Sequence, residues 1–264
     1  MELEILRNIQ SIANPFLDIL FQLITICGEQ MVLVLIISII YWVKDKKFGE
    51  YIAYAVLTSV LVNCVVKDIF KFKRPIGEEG IRTLREKTAT GYSFPSGHTQ
   101  GAGSFYGAMA IYIKKKVMYI IAIIMIILIG FSRLYLGVHY PKDVIVGGIL
   151  GVLISYICYN IYNKYENKIM VYTITFIIFL PALTFAHSED FIKGLGAYFG
   201  FLIGMFIEKR YVNFSVEGKG INKVIRVVIG VLILLCLQKG LKIVLPSEAI
   251  FSFIRYSIIS IFGI

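Results

Sequence analysis

Apolar runs close to the length of a bilayer recur along the whole chain, separated by short polar stretches rich in lysine. Their approximate cores fall at 9–27, 30–43, 50–69, 98–113, 117–135, 140–162, 169–186, 191–207, 223–241 and 247–264. Roughly 17–25 apolar residues in helical form cross a hydrocarbon core. The pattern therefore predicts an all-α, polytopic transmembrane helical bundle of about ten spans. In the first run Asn14, Asp18 and Gln22 recur at four-residue spacing, which puts them on one helical face and suits a bundle interior. Arg255 interrupts the last run.

Composition agrees with this picture. Hydrophobic residues make up 58% of the 264, and charged residues only 17%, against about 25% in a soluble domain. Cys27, Cys64, Cys158 and Cys236 lie in or beside apolar runs, without CxxC spacing or histidine partners, and read as small buried hydrophobes. The opening Met-Glu-Leu-Glu lacks the basic region of a cleaved signal peptide, so the first span is expected to serve as the insertion signal.

Charge adds orientation. The loops after the second, fourth, sixth and eighth runs carry Lys44/Lys46/Lys47, Lys114/Lys115/Lys116, Lys164/Lys168 and Lys209/Arg210/Lys219/Lys223. Basic loops stay in the cytoplasm, and counting spans from them puts the N-terminus there too. The net charge of +10 is thus mostly a topology signal. No separate basic domain exists to bind nucleic acid. Loop 71–97 breaks the pattern: it falls on the opposite side yet holds Lys71, Lys73, Arg74, Arg82, Arg85 and Lys87. An anionic ligand is one reason for cations there.

Three polar stretches carry the chemistry: Lys67-x6-Arg74-Pro75, Pro95-Ser96-Gly97-His98, and Ser132-Arg133-x5-His139-x3-Asp143. Lys67 ends one span, His98 opens the next, Arg133 closes the one after and His139 opens its successor, so span counting brings all four to one membrane face. His139 and Asp143, four apart, share a helical face. Asp143 can accept from Nδ1–H of His139 and leave Nε2 free to attack. Ser96 suits an N-cap, and the Gly97 and His98 amides beyond it make a ready anion site. Cations to bind an anion, one histidine to attack it and another to protonate what leaves amount to a phosphoryl-transfer site that needs no metal. Arg82, Arg85 and Lys87 read as a solvated loop or head-group contacts. Lys71 and Lys73 read as interfacial, His187 as an ordinary loop histidine, and Tyr92 and Phe94 either as a lipid entrance or as common interfacial aromatics.

At these residues the chain resembles the type-2 phosphatidic acid phosphatase superfamily of integral membrane lipid phosphatases. The three-part signature stands in order, with 19 residues between Pro75 and Pro95 and 33 between His98 and Ser132. The resemblance covers roughly residues 15–162 and implies a catalytic core of six helices, here taken as 1–164, with about four additional spans in 165–264. It implies His139 as nucleophile of a phosphohistidine intermediate, Asp143 as its orienting carboxylate, and His98 as acid and then base. Lys67, Arg74, Arg133, Ser96 and Gly97 would bind the phosphoryl oxygens. No cofactor is implied. The partners expected are membrane lipids and a lipid phosphate substrate: phosphatidate, phosphatidylglycerophosphate, a sphingoid-base phosphate or a polyprenyl diphosphate. In a bacterium the site would face outward from the plasma membrane. A transporter or flippase using the same anion site is the alternative; it predicts internal repeats and charges deep in the spans, whereas the ionisable residues gather at span ends.

Overall fold

Helices run from end to end in the computed structural model, which describes residues 1–246 and 248–264, apart from the side chain of Lys87. The expectation for Lys87, and the first residue of the run 247–264, lie outside the described residues. The helices are α1 (Glu2–Gln10), α2 (Pro15–Ile26), α3 (Gln30–Val43), α4 (Lys46–Phe70), α5 (Gly97–Ile113), α6 (Lys116–Tyr135), α7 (Pro141–Lys164), α8 (Lys168–Phe179), α9 (Glu189–Ile207), α10 (Gly220–Val244) and α11 (Ala249–Phe262). A 3₁₀ turn, Leu180–Thr184, continues α8, and a π turn, Glu208–Val212, continues α9.

Local sequence fixes where these helices begin. The side chains of Asn14, Asp45, Ser96, Asn167 and Ser188 each accept from the amide three residues on. Each bond satisfies one of the N–H groups that a helix start leaves without a partner. Pro15 and Pro141 open α2 and α7, where a missing N–H is harmless.

Length and hydropathy let α4, α6, α7, α9 with its π turn, and α10 cross a membrane. Shorter apolar helices are α3, α8 with its 3₁₀ turn, and α11; α5 has 17 residues. Ile145, Ile149 and Leu153, four apart on α7, are all exposed, a stripe suited to lipid. The opposite side of α7 packs closely on α5. A Cβ on Gly151 would stand 2.3 Å from the Gln100 carbonyl oxygen, so this approach of the two backbones requires glycine.

The first run departs from expectation. It is two helices, α1 and α2, bent by 119° at residues 11–14. Pro15 stands just beyond that break, and Asn14 caps the new helix. α1 lies against the loops around the signature residues: Arg7 donates to the Glu79 carbonyl at 2.7 Å, and Lys142 pairs with Glu2 at 2.9 Å. Neither does α2 reach the other face, since Asp18 pairs with Arg82 and Thr25 with Arg133. Only α3 descends, bringing Tyr41 against Gly49 near the start of α4. The expected N-terminus on the basic side is therefore corrected: it shares the face of the signature residues, and α2 and α3 make one crossing between them.

Candidate active site

The ends of α4, α5, α6 and α7 converge on one face, as the span count predicts, and loop 71–96 folds over them. His139 sits between α6 and α7, 1% exposed. Its Nδ1 lies 3.3 Å from Asp143 Oδ2 and 3.4 Å from Ser93 Oγ. Asp143 Oδ2 also accepts from the Tyr140 amide at 2.9 Å and from the Ser93 hydroxyl, so the carboxylate is fixed before it meets the ring. On the far side of the imidazole, Arg74 Nη1 lies 2.8 Å from Nε2. A guanidinium can only donate, so Nε2 accepts and the neutral Nδ1–H tautomer follows. Burial first, then the positive charges of Arg74, Arg133 and Lys67, hold the His139 imidazolium well below the usual histidine range.

Loop carbonyls aim the first two cations. Arg74 donates to Thr90 O (2.6 Å), Gly91 O (3.1 Å) and Val138 O (2.9 Å). Burial pulls its pKa down to about 10, against the opposing carboxylates of Asp143 and Asp190, and leaves it charged at neutral pH. Lys67, 8% exposed, donates to Tyr92 O. Arg133 is wholly buried, and Thr25 Oγ1 holds its Nη1 at 2.9 Å. Arg133 Nε and Nη2 have no hydrogen-bond partner among the described residues, nor has His98 Nε2. Buried N–H groups without partners are costly, and several of them beside a histidine make a receptor for an anion.

Ser96 is the N-cap the sequence predicts: its hydroxyl accepts from Thr99 Oγ1 at 3.0 Å and from the Thr99 amide, leaving its own proton to donate elsewhere. The Ser96 amide donates to Asp143 O at 2.9 Å, joining the second signature stretch to the third. Gly97 and His98 take the first two positions of α5, where amides point outward along the axis. All eight expected site residues thus gather on one face, around His139.

Two further residues belong to this neighbourhood. Ser93, fully buried, braces Asp143; only its place two residues before Pro95 hinted at it. Arg85, expected in a solvated loop or at lipid head groups, donates instead to Glu29, and its Nε is buried without a partner among the described residues. Glu29 follows Gly28, which packs on the His98 carbonyl. Thr25 and Glu29, on either side of the α2–α3 turn, thus hold Arg133 and Arg85 respectively. Arg82 does point away, into a bidentate pair with Asp18 (2.6 and 2.8 Å). Phe94 clusters with Phe70 and Phe72 at centroid distances of 5.2 and 5.6 Å, and the latter two are exposed beside the site.

The fold and this face define a membrane-embedded helical protein with cations and two histidines gathered on one face. A family model described as the PAP2 superfamily matches residues 49–167, and a second, described as PAP2 superfamily phosphatase, transmembrane extension, matches residues 192–264. The chain is 31% identical over 159 residues to phosphatidylglycerophosphatase B of Bacillus subtilis, covering 55% of this chain and 75% of that one. It is 33% identical over 119 residues to an undecaprenyl-diphosphatase of Sulfolobus acidocaldarius, where the match spans 45% of this chain and 57% of the relative. Among solved structures, a PAP2-type phosphatidylglycerolphosphate phosphatase from Bacillus subtilis superposes with a TM-score of 0.54 at 29% identity, over 62% of this chain and 85% of that one. The chain belongs to the PAP2 superfamily, an integral membrane phosphatase family.

Proposed function

We propose that this chain hydrolyses a membrane lipid phosphate through a phosphohistidine on His139, without a metal ion. The observation that carries the reading is the pair of buried N–H donors, Arg133 Nε and Nη2, left without partners together with the ring nitrogen His98 Nε2, beside a histidine whose Nε2 keeps its lone pair. A phosphoryl group entering this space would draw Arg74 off the imidazole and meet Lys67 and Arg133, with the Gly97 amide and Ser96 hydroxyl adding hydrogen bonds. The arginine fork suits bidentate contact with phosphate. Preset charge at the phosphoryl oxygens is usually the largest catalytic contribution.

The steps balance within the chain. The Nε2 lone pair forms the N–P bond as the P–O bond to the lipid breaks, and His98, present as its imidazolium with its charge matched by the bound phosphate, gives its proton to the departing oxygen and becomes neutral. Asp143, braced by Ser93 and the Tyr140 amide, stabilises the positive charge that grows on His139. Water then attacks phosphorus, giving its proton to His98, and the N–P electron pair returns to Nε2. The aromatic cluster of Phe70, Phe72 and Phe94 suits a lipid anchored in the bilayer with its head group at the site. By substrate class, phosphatidylglycerophosphate and a polyprenyl diphosphate follow the names of the two relatives; phosphatidate and a sphingoid-base phosphate present the same phosphoryl group. The basic loops opposite the site favour an extracytoplasmic active site.

The test is phosphate release from these lipids in mixed micelles with excess EDTA, comparing the chain with His139→Ala. EDTA-resistant release that the substitution abolishes is expected, with acid-labile phosphate trapped on the protein during turnover. Release that needs a divalent ion, or survives loss of His139, would refute the mechanism. Lipid movement that survives His139→Ala would favour transport.

A further inference from the structure

Four consecutive loop residues, 90–93, touch Arg74, Lys67, Asp143 and His139. The carbonyls of Thr90 and Gly91 hold Arg74, that of Tyr92 holds Lys67, and the Ser93 hydroxyl holds Asp143. Thr90 and Gly91 are themselves exposed, and an exposed loop segment has little of its own to fix it. A bond from the start of α9, just ahead of the second family-matched region, anchors it: Thr90 Oγ1 donates to Asp190 Oδ2 at 3.0 Å, in the first turn of α9. Two residues earlier Ser188, the N-cap of α9, donates to Asp68 Oδ2 through its hydroxyl at 2.7 Å and its amide at 3.3 Å. Asp68 neighbours Lys67 in the chain and is buried. The start of α9 thus grips both limbs of the first signature stretch, one through the last turn of α4 and one through the loop.

We infer that Asp190 and Ser188 are positioning residues for catalysis: the C-terminal helices hold Arg74 and Lys67 in register with His139 through Thr90 and Asp68. The inference rests on the phosphatase reading above and gives the extension a task in the reaction itself. Arg74 is the group whose placement matters most. It must stay close enough to His139 to keep the ring neutral, yet be aimed to receive a phosphoryl oxygen. Errors of about 1 Å in such a group cost roughly a hundredfold. Without Asp190 the Thr90 side chain loses its bond to α9, and the carbonyls of Thr90 and Gly91 are free to move together with Arg74.

The experiment compares wild type, Asp190→Ala, Thr90→Val, Thr90→Ser, the Asp190→Ala/Thr90→Val double variant and His139→Ala. Each is measured on whichever micellar lipid phosphate the wild type hydrolyses fastest, with kcat and KM taken across pH and the melting temperature recorded in detergent. Asp190→Ala and Thr90→Val should each lower kcat/KM about tenfold, less than the roughly hundredfold of a full displacement of about 1 Å because Arg74 keeps its other partners. The double variant should lose no more than the single ones, because both cut one link, and Thr90→Ser should stay near wild type. In the weakened variants the acid limb of kcat/KM should move up in pH, as the Arg74 charge retreats from His139; a merely structural loss would leave that limb in place. Wild-type rates in Asp190→Ala and Thr90→Val, a Thr90→Ser loss equal to that of Thr90→Val, or a loss with the acid limb unmoved would each overturn the inference while leaving the phosphatase reading intact. A folded wild type that releases no phosphate from any lipid would overturn both.

Discussion

At His139 three neighbours decide one proton. Arg74 can only donate, so Nε2 must accept, and the ring proton sits on Nδ1 facing Asp143 and Ser93. Burial and surrounding cations depress the imidazolium pKa well below its ordinary value, whereas the carboxylate beside Nδ1 opposes that shift without reversing it. The neutral form, the one able to attack, is lost only as pH falls through the depressed pKa. The acid limb of kcat/KM, which reports the free enzyme, should therefore lie below about 6.5, the ordinary histidine value. Arg74→Ala should move it upward while lowering the plateau. A pH profile of phosphate release for the two proteins checks this; a wild-type limb above the ordinary value would contradict the tautomer and charge assigned to the ring.

Among the elements, what was legible in the sequence and what was not separate on physical grounds. Hydropathy and loop lysines suffice to bring Lys67, His98, Arg133 and His139 to one face, because that depends only on counting crossings between them. The error at the start of the chain has an equally local cause: an averaged apolar run conceals the Asn14-Pro15 pair, a helix-start signature inside residues 9–27. Ser93, Arg85 and Asp190 were not legible, for a different reason. Arg85 turns toward Glu29 from a left-handed backbone, φ 57°, and Asp190 is an ordinary acidic residue of a first helical turn until tertiary packing sets Thr90 beside it. Gly196, Gly200 and Gly204 recur every fourth residue on α9, a spacing that announces a close helix contact without naming the partner. The structure gives α11. A Cβ on Gly200 would stand 2.1 Å from the Ser257 carbonyl oxygen, whereas one on Gly240 of α10 would meet nothing within 4 Å. Gly200→Val should therefore destabilise the protein by about 1–3 kcal/mol, the usual range for overpacking, and Gly240→Val should not. Melting temperatures in detergent separate the two; equal effects would mean that the α9–α11 contact is not tight.

For the whole molecule, the extension is clamped to the core at both membrane faces. On the site face the links are Ser188–Asp68 and Asp190–Thr90; on the basic face they are the Lys46–Glu208 pair and Lys209–Glu50 at 2.7 Å. The basic-face links join the two regions where Lys44, Lys46, Lys47, Lys209 and Arg210 gather, the side that the orientation proposed above puts in the cytoplasm. The corrected path of α1 then carries a consequence that the hydropathy count alone had reversed. Residues 2–10 are held to loop 71–96 by Arg7–Glu79 and to α7 by Glu2–Lys142, so the N-terminus and the active site must lie on one side of the membrane, opposite the lysine loops. Glu4, Glu78 and Lys115 are all exposed and sample these positions. With the chain expressed in intact bacterial cells, a membrane-impermeant maleimide should label Glu4→Cys and Glu78→Cys above the parent's background, and should reach Lys115→Cys only after lysis. Labelling of Lys115→Cys alone in intact cells would invert the protein in the membrane and leave its fold untouched. A split between Glu4→Cys and Glu78→Cys would strike at the fold itself, because it would require α1 to leave the face on which Lys142 and Glu79 hold it.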